Sequence, residues 1–83
     1  MPKFRKRPII VEAVQYTGDN QKEIFEFTNA GHFLIRRDNA ITIPNLMGEY
    51  TVDVGDWIIK GVAGDYPCKP DVFEATYEPV TLK

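Results

Sequence analysis

Apolar and polar positions alternate in short runs along this chain, and one stretch switches to a helical period. In Ile9-Ile10-Val11-Glu12-Ala13-Val14-Gln15-Tyr16-Thr17, Ile9, Val11 and Ala13 share one face, and Ile10, Val14 and Tyr16 share the other. A strand apolar on both faces is expected to be central or enclosed. Pro8 precedes it, where a missing N–H is tolerated, and Thr17-Gly18-Asp19 breaks it. Asn20 followed three residues later by Glu23 has the spacing of a capping box. It predicts a short helix from about Gln21 to Asn29, with Ile24, Phe27 and Thr28 on the inner stripe, Phe25 on the flank and Gly31 as the left-handed stop. A helix this short must lie on a sheet to persist.

The remainder reads as strands. His32-Phe33-Leu34-Ile35-Arg36-Arg37 is expected to pair with Ala40-Ile41-Thr42-Ile43 across a tight Asp38-Asn39 turn. After Met47-Gly48 come Glu49 to Val54, with Tyr50, Val52 and Val54 pointing one way, and Gly55-Asp56 turns the chain into Trp57 to Val62. Ala63-Gly64-Asp65 turns it again into Tyr66 to Lys69, and Pro70-Asp71 opens a single helical turn through Val72 and Phe73. Ala75 to Val80 is expected as a last, edge strand because of Pro79. Six to seven short strands and one short α-helix predict an α+β fold. Its form is a curled antiparallel sheet or small open β-barrel with the helix packed on it. The 83 residues fit one domain, residues 1–83, with a basic N-terminal arm over 1–8.

A domain of this size has a thin core and often needs a staple or self-association. One cysteine excludes an intramolecular disulfide, and Cys68 with His32 cannot complete a structural zinc site. Self-association remains, so a homo-oligomer is expected. The lone thiol fits a reducing compartment. The longest apolar run, Ile9-Ile10-Val11, cannot span a bilayer, and no apolar signal core follows the basic start, so the expectation is a cytoplasmic protein without a membrane partner. The net charge of −2 conceals an asymmetry, because Lys3, Arg5, Lys6 and Arg7 oppose an acidic remainder. That arm, with Arg36 and Arg37, is the basis of a nucleic-acid reading. The acidic balance disfavours it, since nucleic-acid domains are usually basic overall.

No catalytic set stands out. Cys68 lies in a strand-like segment after Pro67, not at a helix N-terminus where thiolates are favoured. Asp53, Asp56, Asp65 and Asp71 sit in turns, where aspartate caps backbone N–H groups. The glycines occur singly, without a phosphate-cradling loop, and no calcium-type loop is present. No enzyme activity, metal or cofactor is expected. Recognition is better served: Trp57, Tyr66 and Tyr77 offer flat stacking faces, and Lys60, Lys69 and Arg36 offer cations for an anionic ligand. Two aromatics and two cations on one wall would hold a nucleotide-like molecule at about micromolar affinity. The same aromatics serve equally as core material in so small a chain.

Several segments together carry a resemblance. They are Phe4-Arg5-Lys6-Arg7-Pro8 leading to Val11-Glu12-Ala13-Val14-Gln15-Tyr16-Thr17-Gly18-Asp19-Asn20, then Ile41-Thr42-Ile43-Pro44 and Gly55-Asp56-Trp57-Ile58-Ile59-Lys60-Gly61-Val62, and finally Tyr66-Pro67-Cys68-Lys69-Pro70-Asp71 through Tyr77-Glu78. With these, nearly the whole chain resembles a family of short tailed-phage and prophage proteins of unknown function. The resemblance implies a bacterial cytoplasm and a protein acting by stoichiometric binding. The expected function is a non-enzymatic binding protein that sequesters a nucleotide-like host defence signal or inhibits a host protein. One alternative is a phage structural or assembly protein using the aromatic face as a protein–protein interface. The other is a nucleic-acid binder acting through the arm.

Overall fold

Two three-stranded antiparallel sheets and two short helices make up the computed structural model, which describes residues 1–4, 10–45, 48–61 and 64–80. The first sheet runs β1-β5-β6 and the second β2-β3-β4. In chain order the elements are β1 (Glu12–Gln15), α1 (Gln21–Thr28), β2 (Leu34–Ile35), β3 (Ile41–Asn45), β4 (Gly48–Val52), β5 (Trp57–Gly61), β6 (Gly64–Cys68) and α2 (Pro70–Thr76). The α+β class holds, but the sheets do not close into a barrel. The basic residues Arg5 to Arg7 of the arm lie outside the described residues, as do Pro8, Ile9, Met47, Val62 and Ala63. No described helix is long and apolar enough to cross a membrane.

The register fixes which side chains share a face. β1 pairs with β5 through Glu12↔Lys60, Ala13↔Ile59, Val14↔Ile58 and Gln15↔Trp57. β5 pairs with β6 through Trp57↔Cys68, Ile58↔Pro67, Ile59↔Tyr66 and Lys60↔Asp65. Directly paired residues point to the same side and neighbours in a strand alternate. One face of this sheet therefore carries Val14, Ile58, Lys60 and Asp65, and the other carries Trp57, Ile59, Tyr66 and Cys68. The first face supplies Ile58 to a core it shares with Tyr16, Ile24 of α1, and Ile41, Ile43 and Val52 of the second sheet. The second face carries Trp57, on which Phe73 of α2 stacks, and there Ile59 too is buried.

Local polar contacts hold the shared core together. Tyr16, fully buried, donates its hydroxyl to the Asn39 carbonyl at 2.6 Å. Gly18, at φ 99°, accepts from Gln21 Nε2 at 2.8 Å and Asn39 Nδ2 at 2.7 Å, and so ties α1 to the β2–β3 turn. A side chain at Gly18 would meet both Asn39 and Val54.

Several sequence expectations change in detail. Asn20 makes no side-chain cap to the helix backbone. Its amide donates to Gln15 O and Glu23 Oε1, and its oxygen turns back to accept from Thr17 N. α1 stops at Asn29, itself left-handed at φ 53°, ahead of Gly31. The β2–β3 connection is a three-residue loop closed by Arg36 N–H to Ala40 O, with Asn39 at φ 71°, rather than a two-residue turn. Gly64 and Asp65 belong to β6 instead of a turn. The expected last strand is absent: residues through Thr76 extend α2, and residues 77–80 are irregular. Pro70 in the first turn and Asp71 behind it start this helix well.

Candidate functional site

α2 brings an aromatic column onto the outer face of the first sheet. Phe73 stacks on Trp57 at 4.0 Å between ring centroids and 7° between planes. Tyr77, one helical turn later, continues the stack at 5.1 Å and 29°. Tyr66 reaches the same place from β6. The interaction of its hydroxyl with Tyr77, and then its burial, push its pKa up. Gly61 leaves room for this ring, since a Cβ there would approach Tyr66 Cε1 to 2.8 Å. The indole Nε1 of Trp57 is buried with no hydrogen-bond partner among the described residues.

Lys69 closes the near end of the column. Its ammonium donates to Asp53 Oδ2 at 2.9 Å and to Asp56 Oδ2 at 3.1 Å. Asp56 is almost fully buried and also accepts from Asp53 N at 3.0 Å, bracing the β4–β5 turn. The hydrogen bond and charge of Lys69 hold Asp53 below the usual carboxylate range, and Arg36 adds a smaller pull. Hydrogen bonds to Asp53 and then Asp56 hold Lys69 above the usual ammonium value.

Trp57, Tyr66 and Tyr77 are therefore gathered, with Lys69 beside them. Lys60 is not. It lies on the opposite face of β5, 3.8 Å from Glu12 Oε2 and over the Phe27 ring at 4.6 Å. Its cross-strand neighbour Asp65 has its carboxyl pushed up by burial against the Lys60 pull. Nearby Tyr50 has its phenol pushed up to about 12, by burial first and Asp65 second. Arg36 stands on the β2–β3 loop, 3.5 Å from Asp38. The six candidates thus divide among three places, and each cation already faces a carboxylate.

Two features escaped the sequence reading. Phe73 is the middle ring of the column; its four-residue spacing to Tyr77 was the available signal. The second is an apolar margin on the other sheet. Leu34 and Ile35 of β2 are 68% and 55% exposed. Beside them Phe33 packs against Phe25 of α1 at 5.5 Å. Unbroken apolar character in Phe33-Leu34-Ile35, followed by Arg36-Arg37, was the trace it left in the sequence.

Cys68 is a half-buried free thiol paired in register with Trp57, while His32 is exposed ahead of β2 on the other sheet. Among the described residues no group of three or more His, Cys, Asp or Glu side chains is arranged to hold a metal ion. Comparison of the chain with protein-family models, with curated proteins and with solved structures finds no match.

Proposed function

We propose that this chain is a phage- or prophage-encoded, non-enzymatic binding protein whose target is another protein in the bacterial cytoplasm. The phage assignment draws on the resemblance of its sequence segments. The protein target draws on one structural observation: large apolar side chains stand exposed on a sheet edge, at Leu34 and Ile35, beside Phe25. Clustered exposed apolar groups rimmed by charge mark association surfaces more often than scattered ones do.

The contrast with the aromatic column favours this reading over nucleotide sequestration. Trp57 already gives a ring face to Phe73, and Lys69 is already paired with two aspartates. A stacked anionic ligand would have to displace both contacts. It would also lack Lys60, which lies across the sheet.

The test is native mass spectrometry of tagged protein recovered from phage-infected cells. A stoichiometric protein adduct is expected, and Leu34→Glu should lose it while retaining the wild-type melting temperature. Recovery of a small-molecule adduct with no protein partner, or an adduct indifferent to Leu34→Glu, would overturn the reading.

A further inference from the structure

We infer that the free edge of β2 is a strand-addition site for an extended, apolar, carboxylate-flanked segment of a partner protein; this rests on the protein-target reading above and names the partner's chemistry. Among the described residues β2 pairs with β3 only, so one of its edges has no strand neighbour there. The pairing phase says which groups that edge offers. Arg36 N–H donates to Ala40 O at 2.7 Å, which makes Arg36 and Ala40 a hydrogen-bonded pair. In an antiparallel ladder such pairs alternate with non-bonded ones, so Ile35, opposite Ile41, directs its own N–H and C=O away from β3. An added strand would find a backbone donor and acceptor there.

Side chains on both sides of the edge suit an apolar strand. Leu34 pairs with Thr42 and stands on the outer face, 68% exposed. Ile35 pairs with Ile41 toward the core side, yet remains 55% exposed at the margin. Phe33 and Phe25 continue that margin onto α1. Strand addition draws affinity from main-chain hydrogen bonds and specificity from such alternate contacts.

Charge selects among possible occupants. Exposed Arg36 and Arg37 follow the edge. Asp38 meets Arg36 at 3.5 Å, but both side chains are more than half exposed (55% and 59%), so the pair is weak and exchangeable. Antiparallel pairing of β2 with a second copy of itself, in the phase that the outward groups of Ile35 require, would set Ile35 against Ile35 and put Arg36 and Arg37 opposite the other copy's Leu34 and Phe33. The two arginines at each end disfavour that arrangement, as charged edges do in sheets that avoid self-pairing. They favour a strand bearing Asp or Glu on its flanks.

The decisive experiment is an NMR titration of the full-length protein with two synthetic peptides. Each has a Val-Thr-Val centre, one flanked by glutamates and the other by lysines. The glutamate peptide should shift and protect the Ile35 and Phe33 amides, bind about tenfold tighter than the lysine peptide, and weaken with added salt. Ile35→Pro removes only an outward donor, so it should abolish binding with the fold kept. Should that variant not fold, Arg36→Glu with Arg37→Glu carries the test, by reversing the preference between peptides. Equal affinity for both peptides, no binding, shifts confined to α2 and β6, or concentration-dependent dimerisation through β2 would each overturn the inference. A protein adduct in infected cells alongside such a failure would leave the protein-target reading standing.

Discussion

At the residue scale, the central side chain is Trp57, which supplies one wall of the outer layer while its Nε1 has no hydrogen-bond partner among the described residues. Removing a buried aromatic ring usually costs about 3–5 kcal/mol. Trp57 is only half-buried, and its loss also relieves the orphaned donor, so Trp57→Ala should cost about 2 kcal/mol in urea denaturation. Trp57→Phe keeps a ring against Phe73 and drops the N–H, and should fall well short of that cost. A Trp57→Phe loss as large as that of Trp57→Ala would show that the stack contributes little. Tyr50 makes a separate expectation. Its folded pKa, raised to about 12 from 10.0, lies above the unfolded value. The neutral phenol is thus favoured in the native state, so its stabilising effect is complete below pH 10.0 and disappears as pH rises through about 12. Ultraviolet phenolate titration of the native protein should show a late-ionising tyrosine that Tyr50→Phe eliminates. An unchanged titration in that variant would refute the assignment.

At the element scale, α2 is tethered by one face and one ion cluster. None of its residues is buried, and it holds the sheet through Phe73, Tyr77 and the Lys69 clamp. The clamp has a pH window with a definite sign. Asp53 is depressed below 3.8, so its contribution is present above that value and is lost as pH falls through the depressed one. Lys69 is raised above 10.5, so its contribution is present below 10.5 and is lost as pH rises through the raised value. Trp57 is the single tryptophan and reports directly on α2. Lys69→Met should red-shift its emission at neutral pH while leaving far-ultraviolet circular dichroism nearly unchanged, and the difference from wild type should shrink in acid. Identical emission from the two proteins at neutral pH would remove the clamp from the account. The two helices also show what local pattern can and cannot reveal. α1 was legible because Ile24 and Phe27 repeat at helical spacing after a plausible start. α2 was half legible: Pro70-Asp71 marked its beginning, but Ala75 to Val80 alternate like a strand. Only the Phe73–Tyr77 stack on Trp57, a contact remote in sequence, decides for the helix.

At the scale of the whole molecule, β5 separates two layers of unequal depth. Ile58 joins Tyr16, Ile24, Ile41, Ile43 and Val52 between the sheets, whereas Ile59 is buried on the other face of β5, the face on which Trp57 meets Phe73 of α2. Alternation in Trp57-Ile58-Ile59-Lys60 made the division readable in principle, since Trp57 and Lys60 must then point apart. The strand's pairing with β1 was not readable, because β1 and β5 meet across more than forty residues. Nor does composition say which cations are already neutralised by their own chain, and that is why Lys60, Lys69 and Arg36 looked like ligand-binding groups. The layering sets an order of opening. Ile41→Ala or Ile58→Ala leaves a cavity in the shared core and should lower global stability by about 3 kcal/mol. Ile59→Ala should act mainly on the attachment of α2. In native-state hydrogen exchange, α2 amides should open through a sub-global step with weak urea dependence, while β3 and β5 amides follow global unfolding. Ile59→Ala would speed the first class well before the second. If α2 and β5 instead exchange with the same urea slope, the outer layer belongs to a single cooperative unit, and the aromatic column is core in the full sense rather than a covering that detaches by itself.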